Sequence, residues 1–463
     1  MKKIDIAVRC LGIMLLTAGL TAAPPAGKEG PDRDLNRAIE RNSARHLEFL
    51  RALSRTTREG EEAVQALVAK RMRDLKCEVE TLRISPADLE LKHEFADLGD
   101  RPPEPRISVV GRRAGRAGGR SLLLFAHPDN PPQEGLDRWR HDPFGAVIEG
   151  GRLYGWGVAD DLAGVAIMIE ALAALGEAGL EPGGEVILCS TPAKRNAQGV
   201  IALLSRGYTA DAAVYLHPAE SGVGMKEIKA VASGMLQFRI RIAGRAPDTS
   251  EPGHTAFAHR ADNPAAKGMM VARALEEMDA RRGRRVFHPG LDAAVGRSTN
   301  LLIGYVQAGE KGSLTRVPET CTLGASLTFP PSEKLADVRR EVEAAVAEAA
   351  RSDPWLRESP PRIDWVFGTQ GVETPVDHPL YLTVSRAIRD VIGEDPFVNP
   401  LHSASDIRNP ILYSGIPTVG LGPLAGDLAQ NGLTDEWVDT ADYIRAVQIT
   451  ARILLDWGNT PSR

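Results

Sequence analysis

The sequence has few cysteines, and this shortage bears on whether the chain forms disulfides or a cysteine metal site. Four of the 463 residues are cysteine, and one of them, Cys10, lies in an apolar N-terminal run. The other three, Cys77, Cys189 and Cys321, are an odd number at wide spacing. This pattern predicts neither a disulfide framework nor a thiolate metal cluster.

The chain also lacks a long block of charge of one sign. Its 56 Lys and Arg residues nearly balance 61 Asp and Glu residues, so the net charge at pH 7 is -5. This balance argues against a nucleic-acid partner and gives no indication of binding to an anionic membrane surface. The 43% hydrophobic and 25% charged residues are typical of a globular protein, and the length predicts two or three domains with ample core.

The N-terminus carries an apolar run, residues 10–23, that is too short to span a bilayer comfortably. It follows a basic start with Lys2, Lys3 and Arg9. This arrangement is typical of a secretory signal peptide, so we predict a signal at residues 1–23, a linker at 24–34 and export. An uncleaved N-terminal anchor is the alternative that the sequence leaves open.

Strand and helix patterns alternate over most of the chain and return after residue 352. Such alternation predicts an α/β domain with a central, mostly parallel sheet covered by helices. The segments with this pattern are helices near 35–56, 60–76, 161–175, 379–392 and 440–457, strands at 107–110, 121–126, 185–190, 211–216 and 417–422, a hairpin at 141–157 and a helix start at 435–443.

Between residues 234 and 345 the pattern changes to that of a small α+β unit. Residues 236–244 alternate as a half-exposed strand does, and a helix, two strands and a second helix follow. The order strand–helix–strand–strand–helix fits a ferredoxin-like open-faced sandwich. We therefore predict an α/β domain, residues 35–233 and 346–463, that carries residues 234–345 as an insertion.

Polar side chains follow the predicted strands. His127 and Asp129 come directly after the strand at 121–126, where ligands of open α/β sheets gather, and Asp129 can orient His127 as carboxylates do for histidine ligands. Asp160 and Asp161 follow a Gly-rich turn at the entry to a helix, which suits a cation site. Taken alone, His127 and Asp129 are better explained as a polar loop after a strand, and Asp160 and Asp161 are equally well explained as a helix cap.

His217 lies just past the strand at 211–216 and alone would be an ordinary loop or core histidine. With His127 and Asp160 it forms a more specific set, because each residue lies at a strand end or in the loop after one. Two imidazoles and a carboxylate with an open fourth position match a catalytic zinc site. The sequence therefore predicts zinc ligands at His127, Asp160 and His217.

Three segments resemble the zinc-dependent aminoacylase and carboxypeptidase family of acetylornithine deacetylase, succinyl-diaminopimelate desuccinylase and glutamate carboxypeptidase. They are FAHPDN (125–130), GWGVADDLAG (155–164) and HSASDIRNPILYSGIPTVGLGP (402–423). The resemblance spans nearly the whole mature chain. It implies an α/β domain of zinc-exopeptidase type, an inserted lid that forms a homodimer, and hydrolysis of a small peptide or N-acyl amino acid.

The resemblance also assigns metal ligands. In the family two zinc ions share the residue at Asp160, and one of the ions also binds the residues at His127 and His217. The other ion requires a Glu at the position of Arg195 and a His near Asn431. The chain therefore keeps the ligands of one ion and lacks the private ligands of the other.

The family's catalytic Glu aligns with Lys194. A lysine must lose its proton before it can act as a base, and the neighbouring Arg195 has no lone pair to offer to zinc. These cations can instead pair with nearby carboxylates or bind a carboxylate ligand. We therefore expect one zinc ion or none.

Three interpretations follow. In the first, one zinc ion supports hydrolysis, Arg195 stabilises the oxyanion, and Asp161 or Glu220 acts as the base. In the second, the protein is an inactive relative whose cleft binds a carboxylate or peptide. In the third, it is an exported dimeric scaffold with a vestigial cleft. The retained set of three ligands favours the first.

Two further residues take roles from the resemblance. His254, nine residues before Asn263, corresponds to a lid histidine that assists at the oxyanion. Arg408 corresponds to an arginine near the substrate carboxylate, where its planar fork is suited to bind. An internal ion pair with Asp406 is the alternative for Arg408.

Overall fold

The computed structural model of the chain describes residues 31–85, 89–96, 104–116, 118–129, 135–192, 198–219, 221–400, 405–425 and 434–462. The predicted signal peptide and residues 24–30 of the predicted linker lie outside these ranges. Within them, no helix combines the length and the apolar character that a membrane crossing needs.

The described residues form helices and strands numbered here in chain order. The helices are α1 (Pro31–Arg41), α2 (Ser43–Thr56), α3 (Glu61–Asp74), α4 (Ala163–Glu177), α5 (Gln198–Ser205), α6 (Pro264–Arg285), α7 (Pro289–Val295), α8 (Leu335–Arg351), α9 (Pro354–Glu358), α10 (Pro379–Ile392), α11 (Arg408–Ser414) and α12 (Thr440–Gly458). The strands are β1 (Glu78–Ile84), β2 (Glu94–Ala96), β3 (Arg106–Arg113), β4 (Leu122–Ala126), β5 (Val147–Glu149), β6 (Arg152–Tyr154), β7 (Val186–Ser190), β8 (Ala212–Leu216), β9 (Glu227–Ile228), β10 (Val231–Ala232), β11 (Gly234–Ala243), β12 (Asn300–Ala308), β13 (Thr320–Phe329), β14 (Arg362–Thr369), β15 (Val372–Glu373), β16 (Phe397–Val398), β17 (Thr418–Leu421) and β18 (Trp437–Asp439).

The first helix begins earlier than the sequence pattern indicates. α1 starts at Pro31, inside the predicted linker of residues 24–34. Leu35 and Ile39, one helical turn apart, are buried in the main core and hold this helix in place. The linker prediction was therefore too long at its C-terminal end.

The main sheet has the strand order β1–β3–β7–β4–β8–β17. The four strands β7, β4, β8 and β17 are parallel, and β3 and β1 extend the sheet in antiparallel fashion. The predicted central, mostly parallel sheet is thus confirmed.

Helices cover both faces of the main sheet. Leu122 and Leu124 of β4 enter the core built with α4 and α12, whereas Leu123 and Phe125 enter a second core built with α5 and α11. Since successive residues of a strand point to opposite faces, a strand with both faces covered is apolar throughout. β4, β7 and β8 are accordingly buried at every residue, which leaves their carboxyl ends as the place for polar side chains.

A second, antiparallel sheet has the order β12–β13–β11–β14–β2, with α6 and α8 packed on one face. The chain order β11–α6–β12–β13–α8 is the predicted sandwich order. The sheet extends beyond residues 234–345, however, because β11 forms hydrogen bonds on both edges and pairs with β14 as well as with β13. β14 and β2 thus enlarge the unit beyond the predicted insertion.

A small hairpin leads from the surface to the carboxyl end of the main sheet. β5 and β6 form it, as predicted for residues 141–157, and β18 adds a third strand beside β6. β18 occupies residues for which a helix start was predicted, and α12 begins only at Thr440. The late segment of the chain is thereby held next to the turn that follows β6.

Candidate metal centre

Two neighbouring parallel strands bring His127 and His217 together. His127 follows β4 and His217 follows β8, and these strands pair in parallel, so their carboxyl ends meet at one edge of the sheet. The two imidazole ring centroids are 5.8 Å apart, and both side chains are buried. The predicted pair of histidines is therefore brought together by strand order alone.

Asp160 reaches the two histidines from the turn that precedes α4. Gly157 opens this turn with a φ of 72°, a backbone conformation that favours glycine. The Oδ1 atom of Asp160 lies 3.1 Å from His127 Nε2 and 3.3 Å from His217 Nε2. His127, Asp160 and His217 thus form one buried group whose donor atoms lie within 4.8 Å of one another.

The spacing of these donor atoms fits a zinc ion. Ligand atoms about 2.0–2.1 Å from a tetrahedral zinc ion lie about 3.3 Å from each other. The two distances from Asp160 Oδ1 are close to that value. Two imidazoles and one carboxylate are also the ligand types of catalytic zinc sites, so the group could hold a metal.

Asp129 supports His127 from the side away from Asp160. Its Oδ1 atom lies 3.2 Å from His127 Nδ1, and its Oδ2 atom lies 3.4 Å from an Nη atom of Arg106. A carboxylate that accepts from one ring nitrogen leaves the other nitrogen's lone pair directed at the metal position. The structure therefore places Asp129 where the sequence pattern puts it.

Lys229 supports His217, and sequence reasoning missed it. The buried Nζ atom of Lys229 lies 2.9 Å from His217 Nδ1 and donates to the Pro218 carbonyl at 2.6 Å. An ammonium group has donors only, so Nδ1 accepts, and in a neutral ring Nε2 then carries the proton toward Asp160. A ring in this tautomer has no lone pair at Nε2, so His217 could bind a metal through Nε2 only after Lys229 loses a proton or moves away from Nδ1.

Asp161 is a structural part of the turn. Its Oδ2 atom accepts from the backbone N–H of His127 at 3.3 Å, and its Oδ1 atom accepts from the backbone N–H of Gly164 at 3.1 Å. Complete burial raises the pKa of Asp161 to about 8, although His127 and the two N–H groups act in the opposite direction. A cation bound by the neighbouring group would lower this pKa again.

Glycine at position 164 allows α4 to approach the site closely. A methyl group there would collide with the Leu216 carbonyl oxygen and with Asp161 Oδ1. Leu216 is the last residue of β8, directly before His217. The glycine thus lets the carboxyl end of β8 pack against the first turn of α4.

His254 lies away from the buried donor group. His254 is exposed in the second unit, where its Nδ1 atom accepts from the Ala256 N–H at 3.0 Å, and it is not part of the buried donor group. Four predicted positions lie outside the described residues: Lys194, Arg195, Glu220 and Asn431.

Arg408 is buried between two carboxylates. Its Nη2 atom donates to Glu94 at 2.9 Å and its Nη1 atom donates to Asp406 at 2.7 Å. Burial opposes the positive charge, but the two carboxylates outweigh it and keep the pKa of Arg408 above its usual range. The ion pair with Asp406, which the sequence left as an alternative, is present, and Glu94 is a partner that the sequence did not indicate.

Two acidic residues before β18 hold the loops around the site, and the sequence pattern did not single them out. Asp435 accepts from the side chain of His141 at 3.0 Å and from that of Arg140 at 3.1 Å, and it also accepts from both backbone N–H groups. The adjacent Glu436 accepts from backbone N–H groups of the Asp160 turn. These bonds join residues nearly 300 positions apart, so local sequence carries no signal for them.

Asparagine in place of Asp435 is expected to reduce stability in a pH-dependent way. Burial alone would raise the pKa of Asp435, but the bonds from His141 and Arg140 lower it from 3.8 to about 2. The ionised group therefore stabilises the fold above about pH 4, and this contribution disappears as the pH falls toward 2. We expect the free energy of unfolding of D435N to be about 1–2 kcal/mol lower at pH 7.

Urea unfolding of both proteins at several pH values measures this difference. Asp142→Asn, in the same loop region but more exposed, is the control and should change little at any pH. A loss in D435N that stayed constant down to the acid transition would show that the ionised carboxylate is not the stabilising species.

Comparison with known proteins places this geometry in context. Residues 123–456 match Peptidase family M20/M25/M40. Over 380 residues the chain is 29% identical to the succinyl-diaminopimelate desuccinylase of Methylobacterium radiotolerans, with 78% of this chain and 86% of that protein covered.

Solved structures show the same fold. A tripeptidase from Staphylococcus aureus matches with a TM-score of 0.67 and 16% identity, covering 90% of this chain and 99% of that one. An M20 metallo-carboxypeptidase from Sulfolobus solfataricus matches with a TM-score of 0.65 and 16% identity, covering 89% and 98%. The predicted α/β fold with its second α+β unit is thus the fold of known metallopeptidases.

Proposed function

Because the chain belongs to peptidase family M20/M25/M40, whose members are metal-dependent, we propose that it is an exported hydrolase with one zinc ion. It would cleave the amide bond of a small peptide or an N-acyl amino acid. The observation that carries this proposal is the buried group of His127, Asp160 and His217, whose donor spacing fits zinc. A desuccinylase and a tripeptidase among its relatives support the amide class of substrate.

His127, Asp160 and His217 would hold the ion. When bound, zinc would polarise the substrate carbonyl and make a water molecule more acidic. The chain prepares this position in advance, since Asp129 orients His127 and Asp161 fixes the backbone of the turn. Groups that are already oriented in a buried site need no rearrangement during the reaction.

Asp161 and Glu220 are the two candidates for the general base. Both oxygens of Asp161 accept backbone N–H bonds, and the group is completely buried, so its carboxylate cannot turn toward a substrate without breaking the turn. This argues for Glu220 as the base. Arg195, also outside the described residues, would stabilise the oxyanion.

The proposal of a single ion rests on three residue types in the sequence. Arg195 and Asn431 stand where the family's second ion has its private ligands, and Lys194 stands where the family has its catalytic Glu. An arginine at such a position offers no lone pair and repels a second cation.

A metal-free binding protein is the second candidate function. The observation that favours it is Lys229, because its ammonium group donates to His217 and weakens that ring as a ligand. In this case the cleft would bind a carboxylate or peptide without cleaving it, and Lys194 and Arg195 would supply the charge.

Metal content and hydrolysis together test the proposal. We expect purified protein, dialysed against a trace of zinc, to hold about one zinc ion per chain, and to release amine from a panel of N-acetyl and N-succinyl amino acids and dipeptides. Two tightly bound zinc ions would contradict the single-ion proposal. Protein without zinc and without turnover, whose melting temperature rises with a small carboxylate, would support the binding protein instead.

Export and dimer formation are also proposed. The basic and apolar pattern of residues 1–23 supports export, and N-terminal sequencing of protein from a cell envelope fraction tests it. The edge strand β12 supports a homodimer through the inserted unit, because its Leu302 and Val306 side chains are exposed. Light scattering of wild type and of a Leu302→Lys variant tests the dimer.

A further inference from the structure

Glu436 binds the turn that carries Asp160 through both of its carboxylate oxygens. Its Oε1 atom accepts from the backbone N–H groups of Ala159 at 2.8 Å and Asp160 at 2.9 Å, and its Oε2 atom accepts from Gly157 at 3.0 Å. The side chain is buried, with 2% of its surface exposed. One side chain therefore binds three of the four backbone N–H groups of residues 157–160, around a proposed metal ligand.

These backbone donors require a partner from outside the turn. Asp160 and Asp161 have non-helical dihedral angles, so the start of the turn lies outside the regular hydrogen bonding of α4. Buried N–H groups without an acceptor destabilise a fold by an amount comparable to a lost hydrogen bond. Water has little access to this position, and Glu436 supplies the acceptors.

Main-chain pairing fixes the position of Glu436 beside the turn. It directly precedes β18, which pairs with β6, and β6 ends just before the turn. The backbone carbonyl of Glu436 also accepts from the Gly155 N–H at 3.2 Å. Glu436 and the turn are therefore joined by main-chain and side-chain bonds over a few residues, although 276 positions separate Glu436 from Asp160.

We propose that Glu436 is the positioning residue of the metal centre, which holds the Asp160 carboxylate between His127 and His217. This inference rests on the proposed function for its metal. Glu436 binds the backbone N–H of Asp160, and it acts on the Asp160 carboxylate through that backbone. Its loss would let Asp160 Oδ1 move relative to the two Nε2 atoms, which lie 3.1 and 3.3 Å away.

Glu436→Gln is the substitution that tests this role. Glutamine keeps the length and shape of the side chain, but its amide nitrogen is a donor. If its oxygen takes the Oε1 position, the bonds from Ala159 and Asp160 remain and the amide group faces the Gly157 N–H, donor against donor. The variant therefore removes one of three bonds and the negative charge while leaving the volume unchanged.

The control is Asp353→Asn in the second unit. Asp353 is also buried, accepts from the Leu356 N–H at 3.0 Å and pairs with Lys267 at 2.5 Å, but it lies outside the donor group. A structural role alone would lower the melting temperature in both variants. A positioning role lowers zinc affinity in the Glu436 variant only.

Zinc affinity is measured by chelator competition on metal-free protein, with hydrogen exchange of residues 153–162 as the second measurement. We expect E436Q to bind zinc about 10- to 100-fold more weakly, the range seen when partners of metal ligands are lost. The amide of Gly157, which loses its acceptor, should exchange faster than in wild type, and those of Ala159 and Asp160 should be accelerated less, because their acceptor loses only its negative charge. In D353N both quantities should match wild type.

The outcomes separate this inference from the proposed function. If wild type binds zinc and E436Q binds it equally well with unchanged exchange, Glu436 does not position the centre and the function stands. If wild type binds no zinc, the proposed function fails, and the exchange rates still decide whether Glu436 holds the turn. If E436Q does not fold, unprotected amides at 157–160 in wild type would overturn the inference, and protected ones would support it.

Discussion

Zinc affinity is expected to fall by more than about 100-fold when His217 is replaced by alanine, because loss of an outer partner alone lowers it about 10- to 100-fold. His217 supplies one of the three donor atoms of the buried group, 3.3 Å from Asp160 Oδ1. A group reduced to one imidazole and one carboxylate offers two protein ligands where a catalytic zinc site has three. Calorimetric titration of metal-free protein with zinc measures the loss.

His46→Ala is the matched control for this experiment. His46 is a further buried histidine of the same unit, with its Nδ1 atom 2.7 Å from Glu170 Oε2, and it lies outside the donor group. Its replacement should lower the melting temperature but leave zinc affinity at the wild-type value. Equal zinc affinity in H217A and wild type would show that His217 is not a zinc ligand. It would favour a structural role for His217 as the hydrogen-bond acceptor of Lys229.

The part of the site that could be predicted follows from strand order. His127 and His217 each follow an apolar strand, and parallel strands place their carboxyl ends together, so a one-dimensional pattern was enough to pair them. Asp160 was indicated by glycines before a helix, and the structure shows why: Gly157 adopts a positive φ and opens the turn. These signals are local, and local signals can be read from a sequence.

The residues that support the site could not be predicted in this way. Lys229 is a single lysine between apolar residues, and Glu436 belongs to a segment that reads as a helix start. Their roles depend on which main-chain donor or ring nitrogen lies opposite them after folding. The same limit applies to the second sheet, since β14 and β2 join it through pairing with distant strands.

Replacing Arg408 by methionine is expected to lower the free energy of unfolding by about 3–5 kcal/mol, as is usual when one partner of a buried ion pair is removed. The guanidinium donates to Glu94 and to Asp406, and all three side chains are buried. Without it, two carboxylates remain in the interior with their counter-charge gone. Burial already raises the pKa of Glu94, and Arg408 acts in the opposite direction. Without Arg408 the ionised form of Glu94 would therefore be destabilised further.

The position of the pair in the fold makes the effect large. Glu94 begins β2 at the edge of the second sheet, and Arg408 begins α11, which packs on the main sheet. The ion pair therefore joins the two units, and its loss weakens their contact as well as the charge balance. Urea unfolding followed by circular dichroism measures the change.

Two further variants test whether the buried ion pair accounts for the stability lost in R408M. Arg241→Met removes an ion pair of similar length, 2.6 Å to Asp364, on an exposed strand position, and should have a much smaller effect. The double variant E94Q/R408M should recover part of the stability lost in R408M, because it also removes the charge left without its partner.

The same variants test whether Arg408 binds the substrate carboxylate. The resemblance to the aminoacylase and carboxypeptidase family assigns it to the substrate carboxylate, but its Nε, Nη1 and Nη2 atoms already donate to Glu94 and Asp406. Together with the bond from Nη1 to the Ser405 carbonyl, these bonds use four of the five N–H groups, so a two-bond contact with a substrate carboxylate would require Arg408 to give up one of them. We therefore expect R408M to lower the free energy of unfolding while the Michaelis constant stays near the wild-type value. A stable R408M protein with a strongly raised Michaelis constant would show instead that Arg408 binds the substrate.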